Sequence, residues 1–369
     1  MVILVYKNKE WESRMKKILL TAVLMGFSLN VSAEVILKEN ISPAQLKEGL
    51  LKKYQGKING IEQLSRAIND SQGLMGATVV KQKIDTAANK LIGMGSIDIT
   101  QVESDIENTL FSTLTNIFKQ SISVALKTYV HEASDHLFAI SPWNKKIVWN
   151  DAQTHVLMLT WIPAAYKKTY EDKLNSGEDM KIAWDAWVTA VPEIKEFAQN
   201  YVRTNKNGFN LTDRIEQFLG LIPSKPPYAV SQNKLFVEMW VRPEDLFRPC
   251  LDAEIGDTEC MIDPHESDLN KLPVGYRDMS KLVPMTPQHK AWFEKEKKGK
   301  YEGQWAMPWT RFGYTYDWGS IKKATGKRAA QGASEYLIKN GSIVTIQSII
   351  PTDEYPNAPT PRSGYTYRE

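Results

Sequence analysis

Cysteine and histidine are scarce in this chain, which has two Cys and five His among 369 residues. The sequence contains no Gly-x-Ser-x-Gly, P-loop or Gly-x-Gly-x-x-Gly motif, which argues against the hydrolase, phosphate and dinucleotide sites that those motifs build. YVHEASDH resembles a zincin motif, but His131 and His136 stand five residues apart, about 140° around a helix. We interpret this stretch as a solvated helix end and predict no metal site.

Proline and tryptophan are almost absent from the first part of the chain. Seventeen of the 18 prolines lie from Pro142 onward, and every tryptophan beyond residue 33 lies between Trp143 and Trp318. This change in composition predicts a domain boundary near residue 140. The predicted units are a leader at 1–33, a helical domain at 34–140, an aromatic- and proline-rich α+β domain at 141–350 and a loose tail at 351–369.

The leader has the pattern of a secretory signal peptide. Lys16 and Lys17 precede the apolar run ILLTAVLMGFSLNV, which ends near Ala33. We expect cleavage after Ala33 and a periplasmic or secreted mature protein. The run is shorter than the roughly 20 apolar residues that span a bilayer, and no later run is long enough, so we expect no transmembrane segment in the mature chain.

The charges of the expected mature chain balance. Residues 1–33 carry five of the 46 basic and two of the 43 acidic residues, which leaves 41 of each. A nucleic-acid partner requires a basic excess on one face, and we therefore predict none.

The two cysteines, Cys250 and Cys260, lie close together in RPCLDAEIGDTEC. An even, closely spaced pair in an exported protein indicates a disulfide. The acidic residues around them favour oxygen-binding ions over zinc, but their spacing does not match a calcium loop. We predict a structural disulfide.

Two helices are predicted in residues 34–140. The capping box SPAQ at 42–45 is followed by apolar residues near helical spacing up to Ile68. A longer apolar stripe runs from Val102 to Val130. The stripe indicates a helical hairpin or bundle that buries its own core; the alternative is a membrane-active or partner-binding helix of a secreted toxin.

The second half mixes strand and helix patterns. THVLMLTWIP (154–163) and LFVEMWVRP (235–243) predict strands, and helical patterns occupy 179–198 and 212–219. An Asn-Gly pair between apolar runs predicts a hairpin over 336–350. The overall prediction is an α+β fold with a small antiparallel sheet.

The segment PWTRFGYTYDWG, residues 308–319, is dense in aromatic rings with polar tips. Its proline and glycines exclude a regular helix, and an extended chain would place its aromatic residues at 312, 314, 316 and 318 on one side. It is either a core strand or a pocket wall. As a pocket wall its ligand-binding residues would be Arg311, Tyr314, Tyr316 and Asp317, although Arg311 and Asp317 could instead pair with each other.

Five blocks resemble a family of secreted Gram-negative proteins to which no activity is assigned. The blocks are THVLMLTWIP, WVTAVPE, WVRPEDLFRPC, PWTRFGYTYDWG and GASEYLI. The resemblance covers most of residues 150–350 and implies export.

Residues 235–350 also resemble ADP-ribosyltransferase toxins, through GASEYLIKNGSIVTIQSI, where a glutamate precedes two strands joined by a turn. The resemblance implies that Glu335 polarises the ribose of NAD, the co-substrate, and that Arg242 or Arg248 holds a phosphate. The Ser-Thr-Ser strand of that family is absent, and Ala333 stands where acceptor-binding enzymes carry a glutamate or glutamine.

Three classes of function follow. The first is a secreted effector or toxin with an ADP-ribosyltransferase-like C-terminal half. The second is a non-catalytic binding protein of the envelope or cell exterior, with a protein or glycan partner. The third is a glycan-active enzyme, since sugar faces stack on tryptophan and a pair such as Glu238 and Glu335 would suit a glycoside hydrolase.

Overall fold

A computed structural model describes residues 41–364, except for Ser96, 127–133, Asp135, 205–207, 225–233, 261–285, 303–305 and 321–329. The predicted signal peptide, most of the stretch interpreted as a solvated helix end, and the last five residues lie outside the described residues. Within them the fold is α+β, with helices grouped at the N-terminal end and an antiparallel sheet beyond, as predicted.

The described helices are α1 Pro43–Ala67, α2 Ser71–Met94, α3 Ile99–Leu126, α4 Lys167–Ser176, α5 Val191–Thr204, α6 Leu211–Phe218 and α7 Pro287–Glu302. The strands are β1 Val156–Pro163, β2 Met180–Lys181, β3 Ala186–Ala190, β4 Lys234–Val241, β5 Leu246–Phe247, β6 Tyr314–Tyr316, β7 Gln331–Ser334, β8 Tyr336–Ile338 and β9 Ile343–Pro351.

Among the described residues of the N-terminal part there are three helices, and not the two predicted. The capping box that begins α1 is present: Gln45 N donates to Ser42 Oγ over 3.2 Å, and Ser42 N donates to Gln45 Oε1 over 2.9 Å. The helix α2 was not predicted. Its buried face consists largely of small residues, including Gly73, Ala77 and Ala87, which leave little hydrophobic periodicity in the sequence.

The helical part packs closely on the rest of the chain. A Cβ atom added at Gly56 in α1 would lie 2.4 Å from Gly208 O, so the two backbones touch at a pair of glycines. Phe209 and Trp318 lie in the core of the three helices, and the Trp318 ring contacts Phe118 edge-on at 5.9 Å. Whether the two halves fold independently stays a prediction.

The main sheet is antiparallel and has seven strands in the order β2-β9-β4-β1-β3-β8-β5. One face, through Met158 and Val237, packs against partly buried residues of α4. The other face, through Leu159 and Phe236, packs on α5 and α6. A second sheet of two strands, β6 and β7, lies beside this face, since Ala333 belongs to the same core.

Two predicted elements of the second half are wrong. The region 179–198, predicted as helical, begins with the strands β2 and β3, and α5 starts only at Val191. The predicted hairpin of 336–350 contains a turn at Gly341, with φ +88°, but its strands do not pair. Strand β8 pairs with β3 and β5, whereas β9 pairs with β4 and β2. A local turn signal cannot reveal which distant strand offers the better partner.

The C-terminal segment that was predicted to be loose lies against the fold over residues 352–364. Tyr355 is fully buried against Phe236, with ring centroids 4.1 Å apart. Gly364 N donates to Trp149 O over 2.9 Å.

Candidate functional site

A cavity of about 230 Å³ lies between the α5/α6 face of the main sheet and the segment that carries β6 and β7. Strands β1, β3 and β4 supply one wall, and the end of α7 with residues 307–309 supplies another. Its lining side chains are mostly apolar and aromatic, with a few polar groups, the composition of small-molecule sites. The residues that carry its chemistry are Trp161, Trp187, Trp309, Lys300, Ser334 and Glu335.

Three tryptophans form most of the aromatic surface. The rings of Trp187 and Trp309 meet edge-on with centroids 6.3 Å apart. Trp161 is fixed at its polar end, where its indole N–H donates to Thr352 Oγ1 over 2.9 Å, and its ring lies 5.9 Å from Phe236. Because their edges are held by neighbours, these rings present preformed apolar surfaces to the cavity.

Lysine side chains lie against two of these tryptophans. Lys300 Nζ lies 4.7 Å from the centroid of Trp187, and Lys234 Nζ lies 4.2 Å from that of Trp161, both within cation–π range. Lys234 also forms an ion pair with the buried Glu216 at 2.9 Å. Lys300 lines the cavity and therefore supplies a positive charge there.

Glu335 places a buried carboxyl group in this aromatic surrounding. Its backbone N–H donates to Gly313 O over 2.8 Å, which ties it to the aromatic segment 308–319. Burial raises the pKa of Glu335 to about 8, while the Lys300 ammonium and the Trp309 indole N–H lower it by less. Glu335 Oε2 and Trp309 Nε1 are both buried without a hydrogen-bond partner of normal geometry in the described structure. At neutral pH this group is a carboxylic acid that can donate a hydrogen bond.

A second glutamate, Glu193, lies behind the cavity wall and accepts hydrogen bonds from residues of that wall. Glu193, in the first turn of α5, accepts hydrogen bonds from Ser334 N at 2.9 Å and Ser334 Oγ at 3.1 Å. Thr189 Oγ1 donates to it over 3.4 Å. Burial raises the pKa of Glu193 to about 7, against these hydrogen bonds, which lower it. Both hydroxyl residues line the cavity, so Glu193 fixes its wall without lining it.

Of the residues predicted to bind or react, the structure brings Glu335 and Tyr316 to the cavity. Tyr314 is buried instead with Phe312 beside the two cysteines. Asp317 forms a bidentate ion pair with the buried Arg214, at 2.8 and 2.5 Å, and not with Arg311. The aromatic segment therefore does not present one uniform side: its rings divide between two cores and the cavity wall.

The remaining arginines lie elsewhere. Arg311 has φ +66°, and its guanidinium donates to Leu126 O over 3.2 Å. Arg242 is half-exposed and pairs with Asp245 at 2.9 Å. Neither residue lines the cavity. Glu238, proposed from sequence as a partner of Glu335, is buried in β4 and accepts from Ser348 Oγ over 2.8 Å.

Arg248 stands two residues before Cys250 and is fully buried against the loop that the cysteines close. Cys250 and Cys260 form the predicted disulfide, with their Cα atoms 6.4 Å apart. Arg248 Nη1 pairs with Asp257 Oδ1 at 2.9 Å, and Nη2 donates to Asp257 O over 2.9 Å. The guanidinium is thus used to hold this loop.

Sequence reasoning missed the contributions of Trp187, Glu193 and Lys300. Trp187 and Glu193 both occur in the block WVTAVPE, but nothing in its local pattern indicates that it faces residues 300–335. Lys300 belongs to a lysine-rich helix end of ordinary appearance. Only the long-range packing of β3, α5 and α7 makes them neighbours.

Within the described residues, no group of three or more His, Cys, Asp or Glu side chains is placed to hold a metal ion. None of the helices found there is long and apolar enough to cross a membrane. No protein-family model, curated protein or solved structure matches the chain at a significant level.

Proposed function

We propose that this chain is a binding protein for a ring-sized ligand, a sugar residue, held in the cavity between Trp161, Trp187 and Trp309. The observation that carries the proposal is the juxtaposition of these three tryptophans with the buried carboxyl group of Glu335, whose Oε2 has no hydrogen-bond partner of normal geometry. Apolar faces of a sugar ring stack on indole, and its hydroxyl groups pair with polar atoms at the edge of the stack.

The size of the cavity favours one ring over a larger ligand. Drug-sized ligands occupy pockets of roughly 300–1,000 Å³, whereas this cavity measures about 230 Å³. A single six-membered ring with its substituents suits that volume, and a whole dinucleotide does not. This favours a sugar over NAD as the occupant.

The placement of the charged residues also favours binding over the two catalytic alternatives. The transferase resemblance pairs Glu335 with an arginine, but Arg248 is engaged by the disulfide loop and Arg242 lies at the surface. A glycoside hydrolase generally uses two carboxyl groups across the scissile bond, and Glu335 is the one carboxyl residue among those described around the cavity. ADP-ribosyl transfer stays a prediction of the sequence resemblance alone.

An exported location suits this proposal. The disulfide between Cys250 and Cys260 is compatible with an oxidising compartment. The signal peptide, its cleavage after Ala33 and the choice between periplasm and exterior remain predictions. Intact-mass measurement of the mature protein tests the cleavage site.

Tryptophan fluorescence and thermal shift test the binding proposal. Purified protein is titrated with a panel of monosaccharides and, in parallel, with NAD. We expect at least one sugar to change the fluorescence and raise Tm, because a ligand that binds only the native state stabilises it. Trp187→Ala should abolish the response, whereas Trp184→Ala should retain it, since Trp184 is 66% exposed and does not line the cavity.

Two outcomes would contradict the proposal. Binding of NAD with no response to any sugar would favour the transferase class. An equal loss of response in the folded Trp187→Ala and Trp184→Ala variants would show that the ligand binds outside this cavity.

A further inference from the structure

Several polar groups that line this cavity are hydrogen-bond donors only or are already occupied by other residues. The Lys300 ammonium and the Trp309 indole N–H can only donate. The hydroxyls of Thr189 and Ser334 are already engaged with Glu193. Thr315 Oγ1 donates to Phe218 O over 2.6 Å and accepts from Ala333 N at 2.8 Å. A ligand rich in acceptors therefore fits better than one rich in donors.

The charges around Glu335 also favour a ligand that carries hydrogen-bond acceptors. With Glu335 neutral, Lys300 is the charged residue among the described lining residues, and its Nζ lies over Trp187. From α7 the uncharged Tyr301 also faces Glu335, and Arg311 lies over the Tyr301 ring at 5.7 Å. On the other side Glu193 stands behind Ser334, where its oxygens are occupied. A half-buried positive charge beside apolar rings attracts an anion more strongly than a fully solvated one does.

We propose that the ligand carries a carboxylate on its ring, so that within the proposed sugar-binding function the cavity selects a uronic acid residue. The ring stacks among the tryptophans, and its carboxylate accepts a hydrogen bond from Lys300, beside the buried Glu335 and Trp309. Hydrogen bonds from charged donors to a carboxylate are the stronger kind. The residue is either a free sugar or the end of an acidic oligosaccharide.

Matched sugars test this selection directly. Glucuronate differs from glucose, and galacturonate from galactose, in having a carboxylate where the neutral sugar has a hydroxymethyl group. At pH 6.5 we expect each acid to bind the wild-type protein at least tenfold more tightly than its neutral counterpart, as measured by calorimetry. Digalacturonate, titrated beside galacturonate, distinguishes a chain end from a free sugar by which of the two binds more tightly.

Variants of the wall separate the contributing groups. Lys300→Met should remove the preference for the acid, whereas Lys298→Met, an exposed change on the same helix, should keep it. Above about pH 8, where Glu335 ionises, wild-type affinity for glucuronate should fall by up to about tenfold per pH unit, because two carboxylates would then meet. Glu335→Gln, which keeps a donor there, should lose this pH dependence.

The two proposals fail in different ways. If neutral sugars bind wild-type protein as tightly as the acids, the selection of a uronic acid is wrong, while the sugar-binding function stands. If neither acids nor neutral sugars bind, the proposed function fails, and the selection fails with it. The comparison of sugars on wild-type protein needs no variant to fold.

Discussion

The carboxylate of Glu193 accepts two hydrogen bonds from one residue, Ser334, at its backbone nitrogen over 2.9 Å and its hydroxyl over 3.1 Å. Ser334 is the last residue of β7 and immediately precedes Glu335. The first turn of α5 therefore fixes the strand end that positions the buried acid. This contact joins the helix that covers the sheet to the wall of the cavity.

Glu193→Ala should destabilise the protein. The substitution leaves the Ser334 N–H without its acceptor in a buried place, at a cost of about 1–3 kcal/mol. The cavity wall should loosen at the same time and weaken ligand binding. Denaturant unfolding measures the first effect. Glu196→Ala is the matched control, because Glu196 lies on the same helix in an exposed ion pair with Lys146 and should change stability by less than about 1 kcal/mol. Equal effects of the two changes would contradict the structural role of Glu193.

Glu335 should make stability fall as pH rises. The pKa of this carboxyl is about 8 in the folded protein and about 4.3 in an unfolded chain. Between these values the folded state holds a proton that the unfolded state has released, so the free energy of unfolding decreases with rising pH, by up to about 1.4 kcal/mol per pH unit. The decrease ends above the folded pKa.

Comparison with Glu335→Gln isolates this contribution, because other titrating groups, Glu193 among them, act equally in both proteins. We expect the two proteins to have similar stability near pH 4 and the Gln variant to be the more stable one at pH 9. Denaturant unfolding across this range provides the measurement. A difference between the two proteins that does not change with pH would show that the carboxyl is not buried as the structure places it.

Much of the fold was predictable where the signal is local. The cap of α1, the apolar runs of β1 and β4 and the spacing of the cysteines each depend on neighbouring residues, and the structure contains all of them. The helix α2 was not predicted from the sequence, because small residues such as Ala77 and Ala87 fill its buried face and leave little hydrophobic periodicity.

The candidate site was less predictable, because its parts come from distant segments. Glu335 was identified through the ADP-ribosyltransferase resemblance of GASEYLIKNGSIVTIQSI, and Tyr316 because a tyrosine in the aromatic segment 308–319 is conspicuous. Lys300 and Trp187 carried no such signal, and their stacking depends on where α7 meets β3. Arg248 did carry a signal in the sequence, but that signal was misleading. The resemblance suggested phosphate binding, whereas the fully buried guanidinium holds the loop of the disulfide.

Two glycines of α1 should respond to alanine in opposite directions. At Gly56 an added methyl group would meet the backbone oxygen of Gly208 at 2.4 Å, and Gly208, at φ +73°, has little freedom to move. At Gly49 nothing lies within 4 Å. Gly49→Ala should therefore stabilise the helix by about 0.5–1 kcal/mol, and Gly56→Ala should destabilise the protein by about 1–3 kcal/mol. Thermal unfolding of both variants decides the matter, and stabilisation by both would show that the helices do not pack on residue 208.

The ion pair of Asp317 and Arg214, which holds the aromatic segment 308–319, should contribute strongly to the stability of the protein. Its two hydrogen bonds measure 2.8 and 2.5 Å, both side chains are less than one-tenth exposed, and Gly319 N adds a bond to Asp317 Oδ1 at 3.1 Å. Asp317→Ala leaves a buried guanidinium without its counter-ion and should cost about 3–5 kcal/mol.

The double variant Asp317→Ala with Arg214→Met separates the cost of an unpaired buried charge from the net contribution of the pair to stability. Methionine removes the buried charge and keeps much of the packing against Phe197, over whose ring the guanidinium lies at 4.8 Å. The double variant should therefore be more stable than Asp317→Ala alone, as measured by denaturant unfolding. Glu178→Ala, which breaks an exposed pair with Lys173, should leave stability nearly unchanged. An unpaired charge costs free energy only where water is excluded from it. The pair would therefore not be buried as described if Asp317→Ala behaved like the surface control Glu178→Ala. The same conclusion would follow if the double variant were less stable than Asp317→Ala alone.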